Sequence, residues 1–313
     1  MRRFRTGVLG ATLIALGLVL SACGSGGDDD EATGGGGNGG GEARGQITVG
    51  SDAFPEAQIV GEMYAQVLEQ DGYEVERQLD LESREVRLPA MEDGQVDVAP
   101  EYLASLLSVI DPEATPSDAG DPAAVTETLQ PLLQERGLEI LDYSDAVDTN
   151  AFVVTQEAAD EFGLSAVSDL ADVAAEMTLG APPECPKRPY CIPGLEDVYG
   201  IEFAEYRPLE YGAATAQALK AGAIDVALLF STDPLIEQNN FVLLEDDKDL
   251  QAADNIAPLA NAEVAEEISG VLQPVTDALT TDGMTQLNAR VAIEQEDPAD
   301  VATDFLEREG LLD

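Results

Sequence analysis

No histidine and no tryptophan occur among the 313 residues, and lysine plus arginine number 15 against 62 aspartates and glutamates. Without histidine, the commonest general base and metal ligand is missing. Neither a Gly-x-Ser-x-Gly elbow, nor a phosphate-binding glycine loop, nor a metal-ligand cluster occurs in the sequence. Nucleophilic, nucleotide-driven and metal-assisted catalysis therefore lose their usual signatures, and the chain reads as non-enzymatic, without cofactor or metal. A formal charge of −47 repels nucleic acid and anionic membrane surfaces, which excludes nucleic acid as a partner. Most of that acid is solvated surface, and the scarcity of cations makes each buried one informative. Long apolar runs are scarce too. The run from Val8 to Leu20 is too short and too abruptly ended to span a membrane.

What is present begins with export. Arg2, Arg3 and Arg5 precede the apolar run as the charged and hydrophobic regions of a secretory signal do. The run closes on Leu20-Ser21-Ala22-Cys23, which resembles the lipobox of bacterial lipoproteins, whose cysteine is lipidated and becomes the new N-terminus. From Gly24 to Gly45 the chain is almost wholly Gly, Ser, Asp, Glu and Asn, too polar to offset its ordering entropy and hence a tether. Residues 1–22 then read as signal peptide and 23–46 as lipidated cysteine plus tether. Losing 1–22 removes three arginines and no acid, so the charge moves from −47 to about −50.

Residues 47–313 carry the fold, a length that suits two lobes. Apolar spacing predicts a strand at 47–50 and a helix over 55–70 with Ile59, Val60, Met63, Tyr64, Val67 and Leu68 on one face. A strand at 75–79, a helix at 83–93 disturbed at Pro89, and a short buried strand running through Pro100-Glu101-Tyr102 into a loop follow. A helix at 121–136, strands at 138–141 and 151–154, helical runs at 157–162 and 168–174, and a strand at 177–179 come next. A helix at 212–220, strands at 241–244 and 256–260, and closing helices at 263–279, 283–293 and 298–309 complete the reading. Ala90–Ala99 and Ala218–Ala227 echo one another: helix, glycine at the left-handed C-cap, then an apolar strand with Asp97 or Asp225 in its middle. Both aspartates read as strand-end hydrogen-bonding groups. Alternating helices and short strands imply mostly parallel sheets and a cleft at their carboxyl ends.

The segment from Gly180 to Gly194 holds two of the three cysteines and five of the seventeen prolines. Proline removes donors and fixes φ, so regular helix and central strand are excluded there. In an oxidising compartment Cys185 and Cys191 can close a small disulfide ring around Lys187 and Arg188. The alternatives are a recognition loop that presents a guanidinium beside Glu184, or a stapled surface loop.

Ile47-Thr48-Val49-Gly50-Ser51 with Phe54 and Glu56, Glu62-Met63-Tyr64-Ala65-Gln66, Ser83-Arg84-Glu85, Gly94-Gln95-Val96-Asp97-Val98, Pro100-Glu101-Tyr102, Gly180-Ala181-Pro182-Pro183-Glu184, Ser231-Thr232-Asp233 and Leu244-Glu245-Asp246-Asp247-Lys248 occur in this order. From about residue 47 to the end, the chain resembles the glycine betaine/choline-type substrate-binding proteins of osmoprotectant ABC transporters. The resemblance implies an α/β, bilobed periplasmic-binding-protein fold (type II), two lobes joined by a two-segment hinge: 47–148 plus 255–313, and 149–254. It also implies an extracytoplasmic, membrane-anchored monomer that hands a small amine or zwitterion to ABC permease subunits.

Carried over by residue, the resemblance implies that Tyr102 is a cage ring and Ser105 replaces a threonine. Asp148 opens the second lobe, and Glu184 and Arg188 keep the family spacing, the arginine gripping a ligand carboxylate. The family's Ser-Lys is Ser51-Asp52 here; cage tyrosines appear as Asn150, Phe230 and Asp254. That thins the cage from four rings toward two and adds acid, so Asp52, Asn150 and Asp254 could serve a hydroxylated, amide-bearing or more cationic amine. Tyr190, Tyr199, Tyr206 and Tyr211 are candidates to replace the missing rings. A quaternary-ammonium solute, another polar amine or amino-acid derivative, and a ligand-free sensor lipoprotein remain as readings.

Overall fold

The computed structural model describes residues 44–312; the signal-peptide, Cys23 and most of the tether readings lie outside them. Sheet one has the order β2-β1-β3-β10-β4, from β1 (Gln46–Asp52), β2 (Glu74–Leu81), β3 (Val98–Tyr102), β4 (Leu138–Ile140) and β10 (Ile256–Asn261). Sheet two has the order β7-β6-β8-β5-β9, from β5 (Asn150–Thr155), β6 (Thr178–Ala181), β7 (Glu205–Pro208), β8 (Val226–Phe230) and β9 (Phe241–Leu243).

The sheets are built alike. β1 lies parallel to β2 and β3, as β6 does to β7 and β8. Each sheet also holds one strand antiparallel to its neighbours: β10 in the first and β5 in the second. These are the first strands after the chain crosses from one sheet to the other, so they run against the local direction. The sheets are thus mixed rather than mostly parallel.

Helices α1 (Pro55–Gln70), α2 (Arg84–Glu92), α3 (Leu103–Ile110), α4 (Pro122–Gln134) and, late in the chain, α9 (Ala265–Ala278), α10 (Thr281–Ala292) and α11 (Pro298–Glu309) belong with sheet one. The predicted apolar stripe of α1 is buried against β1 and α9–α11. Leu88, Met91, Leu103, Leu106, Leu129 and Leu133 fill a second core on the other face. Around sheet two lie α5 (Gln156–Phe162), α6 (Ile192–Gly194), α7 (Ala213–Lys220) and α8 (Leu235–Gln238). Along β5, Phe152 and Val154 enter one core while Ala151 and Val153 enter the other, the period-two alternation of a strand covered on both faces. No helix among the described residues is long and apolar enough to cross a membrane.

Several local expectations change. The loop foreseen after Tyr102 is helix α3, whose leucines are buried in the core while Ser105 and Ser108 line the cavity. α2 continues through Pro89 unbroken. β7 was not anticipated, being a polar edge strand whose Pro208 is tolerated there. Gly180 and Ala181 finish the central strand β6, and Ile192–Gly194 begin a helix, so only the middle of the proline-rich segment is irregular. Asp97 and Asp225 stand immediately before β3 and β8, not inside them. Their carboxylates accept from the backbone N–H of Thr48 (2.7 Å) and Thr178 (2.8 Å), and their own N–H groups donate back to the same two residues' carbonyls. The sequence echo is therefore the same strand-locking device used once per sheet.

Two strands of chain cross between the sheets, residues 141–149 and 244–255. They pair at Val147 and Asn255, with Asp148 N–H donating to the Asp254 carbonyl at 3.2 Å and Ile256 N–H to Ala146 at 3.0 Å. The carboxyl ends of β1, β3, β6 and β8 open onto the space beside this hinge.

Candidate functional site: an interlobe cleft

A cavity of about 380 Å³ lies between the lobes. Tyr102, Ser105, Asp148, Asn150, Glu184, Arg188, Phe230, Asp254 and Asp52 all line it, as do Phe54, Arg84, Tyr190 and Tyr211. Phe54, Arg84 and Tyr211 supply the features that sequence reading missed or left undecided.

One wall is aromatic. Phe54 ends the turn after β1, Tyr102 ends β3, Phe230 ends β8 and Tyr211 precedes α7. Their ring centroids are linked at 6.2 Å (Phe54–Tyr102), 5.2 Å (Phe54–Phe230) and 4.1 Å (Tyr211–Phe230). Two rings come from each lobe. Four rings therefore line the cavity, Phe54 and Tyr211 together with Tyr102 and Phe230. Tyr199 and Tyr206 do not line the cavity, because their hydroxyls are engaged by Asp246 and by the Pro182 carbonyl.

Behind the wall, two carboxyls are buried with no cation bonded to them among the described residues. Glu56 accepts from the Tyr102 hydroxyl (2.9 Å), the Thr232 hydroxyl (2.7 Å) and the Asn288 amide (2.7 Å). Asp148 accepts from Ser231 (3.0 Å) and the Thr232 N–H (3.1 Å), and its second oxygen has no partner. Burial pushes both carboxyls above the ordinary range, and Glu56 raises Asp148 further. Two acids so placed each disfavour the other's ionisation.

The floor is ionic. Arg84 meets Glu101 through Nε (2.9 and 3.1 Å) and Nη2 (2.8 Å); Arg87, fully buried, joins Glu101 (2.7 Å) to Asp52 (2.8 Å). Burial opposes the charge on Glu101, yet the two arginines outweigh it and hold its carboxyl at about 2. The Asp52 carboxylate is thereby spent on Arg87. Asp254 accepts from the N–H (2.8 Å) and hydroxyl (2.6 Å) of Ser105 in the first turn of α3, while burial pushes it up to about 6. Asn150 donates to the Tyr190 carbonyl (3.2 Å) and Gln251 (3.3 Å).

The stapled loop forms the lid side. Cys185 and Cys191 are joined in a disulfide with Cα atoms 5.3 Å apart, both buried in the cavity wall. Gly194 closes the loop against Leu250; a Cβ there would meet the Pro189 carbonyl oxygen at 2.2 Å, so only glycine fits. From this loop Arg188 reaches Glu85 at the start of α2 (2.7 Å), joining the two lobes.

Residues 45–308 match the family model described as the substrate-binding domain of ABC-type glycine betaine transport systems. The chain belongs to this family. A glycine-betaine-binding protein of Pseudomonas aeruginosa is 32% identical over 281 residues, covering 85% of this chain and 89% of that one. A carnitine transport binding protein of Listeria monocytogenes is 28% identical over 274 residues, covering 85% and 88%. A crystal structure titled as a glycine betaine/carnitine/choline ABC transporter superposes with a TM-score of 0.67 at 25% identity, covering 85% of this chain and all of that one. As a family member the chain has the bilobed type II fold and is the substrate-binding component of an ABC importer, extracytoplasmic and non-enzymatic. Within that fold, the aromatic wall and the buried acids lie between the lobes, and ligand pockets form preferentially at such interfaces between domains.

Proposed function

We propose that the cleft captures a small quaternary-ammonium or betaine-like solute and delivers it to the permease. The observation that carries this reading is the four-ring wall drawn from both lobes, backed by the cation-free pair Glu56 and Asp148. A quaternary ammonium cannot donate a hydrogen bond, so aromatic faces hold it, at roughly 1–2 kcal/mol per desolvated ring. A carboxylate behind the wall adds attraction for a cation without needing a donor from it. Tyr102, Phe230 and Asp148 serve the cation in this reading. Ser105, Glu184 and Arg188 serve the solute's polar group in this reading. Asp52, Asn150 and Asp254 also line the cavity, but each is engaged by Arg87, Tyr190 or Ser105. That engagement weakens the case for a more cationic or amide-bearing amine.

The chain-level reading is a lipoprotein. Residues 1–22 are the signal peptide, Cys23 the lipidated residue and 23–46 the tether, with lobes at 47–148 plus 255–313 and 149–254, acting as a monomer on the outer face of the membrane. The charged start, the apolar run and Leu20-Ser21-Ala22-Cys23 support it.

A thermal-shift panel of glycine betaine, choline, carnitine, polyamines and amino acids tests the ligand class. A micromolar ligand at millimolar concentration stabilises the fold by roughly 4 kcal/mol. Stabilisation by the quaternary amines is expected. Stabilisation by polyamines or amino acids alone, or by nothing in the panel, overturns the reading.

A further inference from the structure

Two cationic side chains line the cavity, Arg84 and Arg188. Arg188 stands on the stapled loop with one arm held by Glu85. Arg84 is placed differently. It is buried, with 8% of its surface exposed, and the edge of its guanidinium formed by Nε and Nη2 is clamped by Glu101. Its Nη1 donates to nothing among the described residues. A guanidinium offers five N–H donors in a rigid fork, so the clamp fixes its plane and leaves the Nη1 arm available.

The surroundings keep that arm usable. Glu101 is shared with Arg87, and Arg87 is in turn neutralised by Asp52, so two arginines face two carboxylates and the cluster carries no net charge. A solute carboxylate arriving there meets an oriented donor in a cluster whose own charges balance, with Asp254, held by Ser105, as the remaining acid of the floor. Asp52 lines the cavity, but its carboxylate is bonded to Arg87.

We propose that Arg84 is a specificity-determining residue that holds the carboxylate of a zwitterionic solute through Nη1. This rests on the quaternary-amine reading above. It makes the cleft favour betaine-like zwitterions over choline, which has the same ammonium and a hydroxyl in place of the carboxylate.

Titration calorimetry of the purified chain with glycine betaine and with choline tests the assignment. The variants are Arg84→Gln and, because that change leaves Glu101 short of a partner, Arg84→Gln combined with Glu101→Gln. Loss of a charge-assisted hydrogen bond predicts that both variants weaken glycine betaine roughly tenfold or more. Choline should change by less than about threefold, since it has no carboxylate to lose contact with. Equal losses for the two ligands in a double variant that melts like the wild type would assign Arg84 a structural role only. Unchanged betaine binding overturns the proposal as well. If the wild type binds neither ligand, the functional reading fails and this inference with it; selective binding by the wild type with unselective losses sinks the inference alone.

Discussion

The arginine-bound part of the cleft floor and the region behind the aromatic wall each bury two carboxyls, and they treat them in opposite ways. On the floor, Glu101 and Asp52 are met by Arg84 and Arg87 with short, partly bidentate contacts. Behind the wall, Glu56 and Asp148 have only hydroxyls, one amide and one backbone N–H. Arginine lets an acid stay ionised in a dry site, which builds a rigid scaffold. Neutral donors leave the acids reluctant to ionise, so their remaining charge is available to an arriving cation. One cluster shapes the cleft, the other charges it.

The contrast breaks most visibly on the floor. Glu101→Gln leaves two buried arginines facing Asp52 alone, and breaking a buried pair from one side costs about 3–5 kcal/mol. Urea unfolding should show that loss. A cost below about 1 kcal/mol would mean that water enters the cluster and that it is no scaffold.

Behind the wall the same kind of change acts the other way. Asp148→Asn removes a carboxyl whose ionisation burial opposes, so the ligand-free chain should gain about 1 kcal/mol near neutral pH. The pH dependence follows from the direction of the shifts. Glu56, Asp148 and Asp254 all lie above their unfolded values, the last at about 6. The folded chain therefore binds more protons than the unfolded one, and stability falls as pH rises from the ordinary carboxylate range through about 6. Glu101, held at about 2, works oppositely; its contribution is complete above the ordinary carboxylate range and is lost as pH falls toward about 2. Melting temperatures of the wild type should thus be higher at pH 5 than at pH 7.5, with a smaller difference in Asp148→Asn. A wild-type curve that rises over that interval would remove the acid pair from the account.

The two clusters also differ in how far the sequence revealed them. Tyr102, Asp148 and Phe230 sit in short motifs next to strand ends, and strand ends are where an open α/β sheet presents its cleft. Arg84 and Arg87 sit on a short helix whose charged pattern looks like a solvated face. Their burial comes from Glu101, a distant acid inside a strand, and no local period records that pairing. Tyr211 lies in a turn before Gly212, without periodicity, and becomes part of the wall only because it stacks on Phe230. Asp52, Asn150 and Asp254 were read as ligand-facing because they replace expected cationic and aromatic groups. Each lines the cleft, yet each also bonds to a neighbour that the linear sequence does not indicate. Lobes, strand-locking aspartates and the disulfide were legible because they depend on local pattern; the electrostatic division of the cleft was not.

The smallest effect separates both clusters from the lid. Arg188 and Glu85 join the lobes by a single contact at 2.7 Å, and Glu85 is half exposed, so water and salt screen it. An exposed pair of this kind contributes about 0.2–1 kcal/mol. Glu85→Gln should therefore leave the melting temperature nearly unchanged and weaken every ligand by at most about fivefold, because closure of the lobes is common to all of them. The loss should fade as salt is raised, whereas the effects of Glu101→Gln and Asp148→Asn persist, since their groups are shielded from bulk ions. Titrations of choline and glycine betaine at low and high salt check this. A salt-independent loss confined to glycine betaine would show that Glu85 acts by orienting Arg188 toward the carboxylate and not by holding the lobes together.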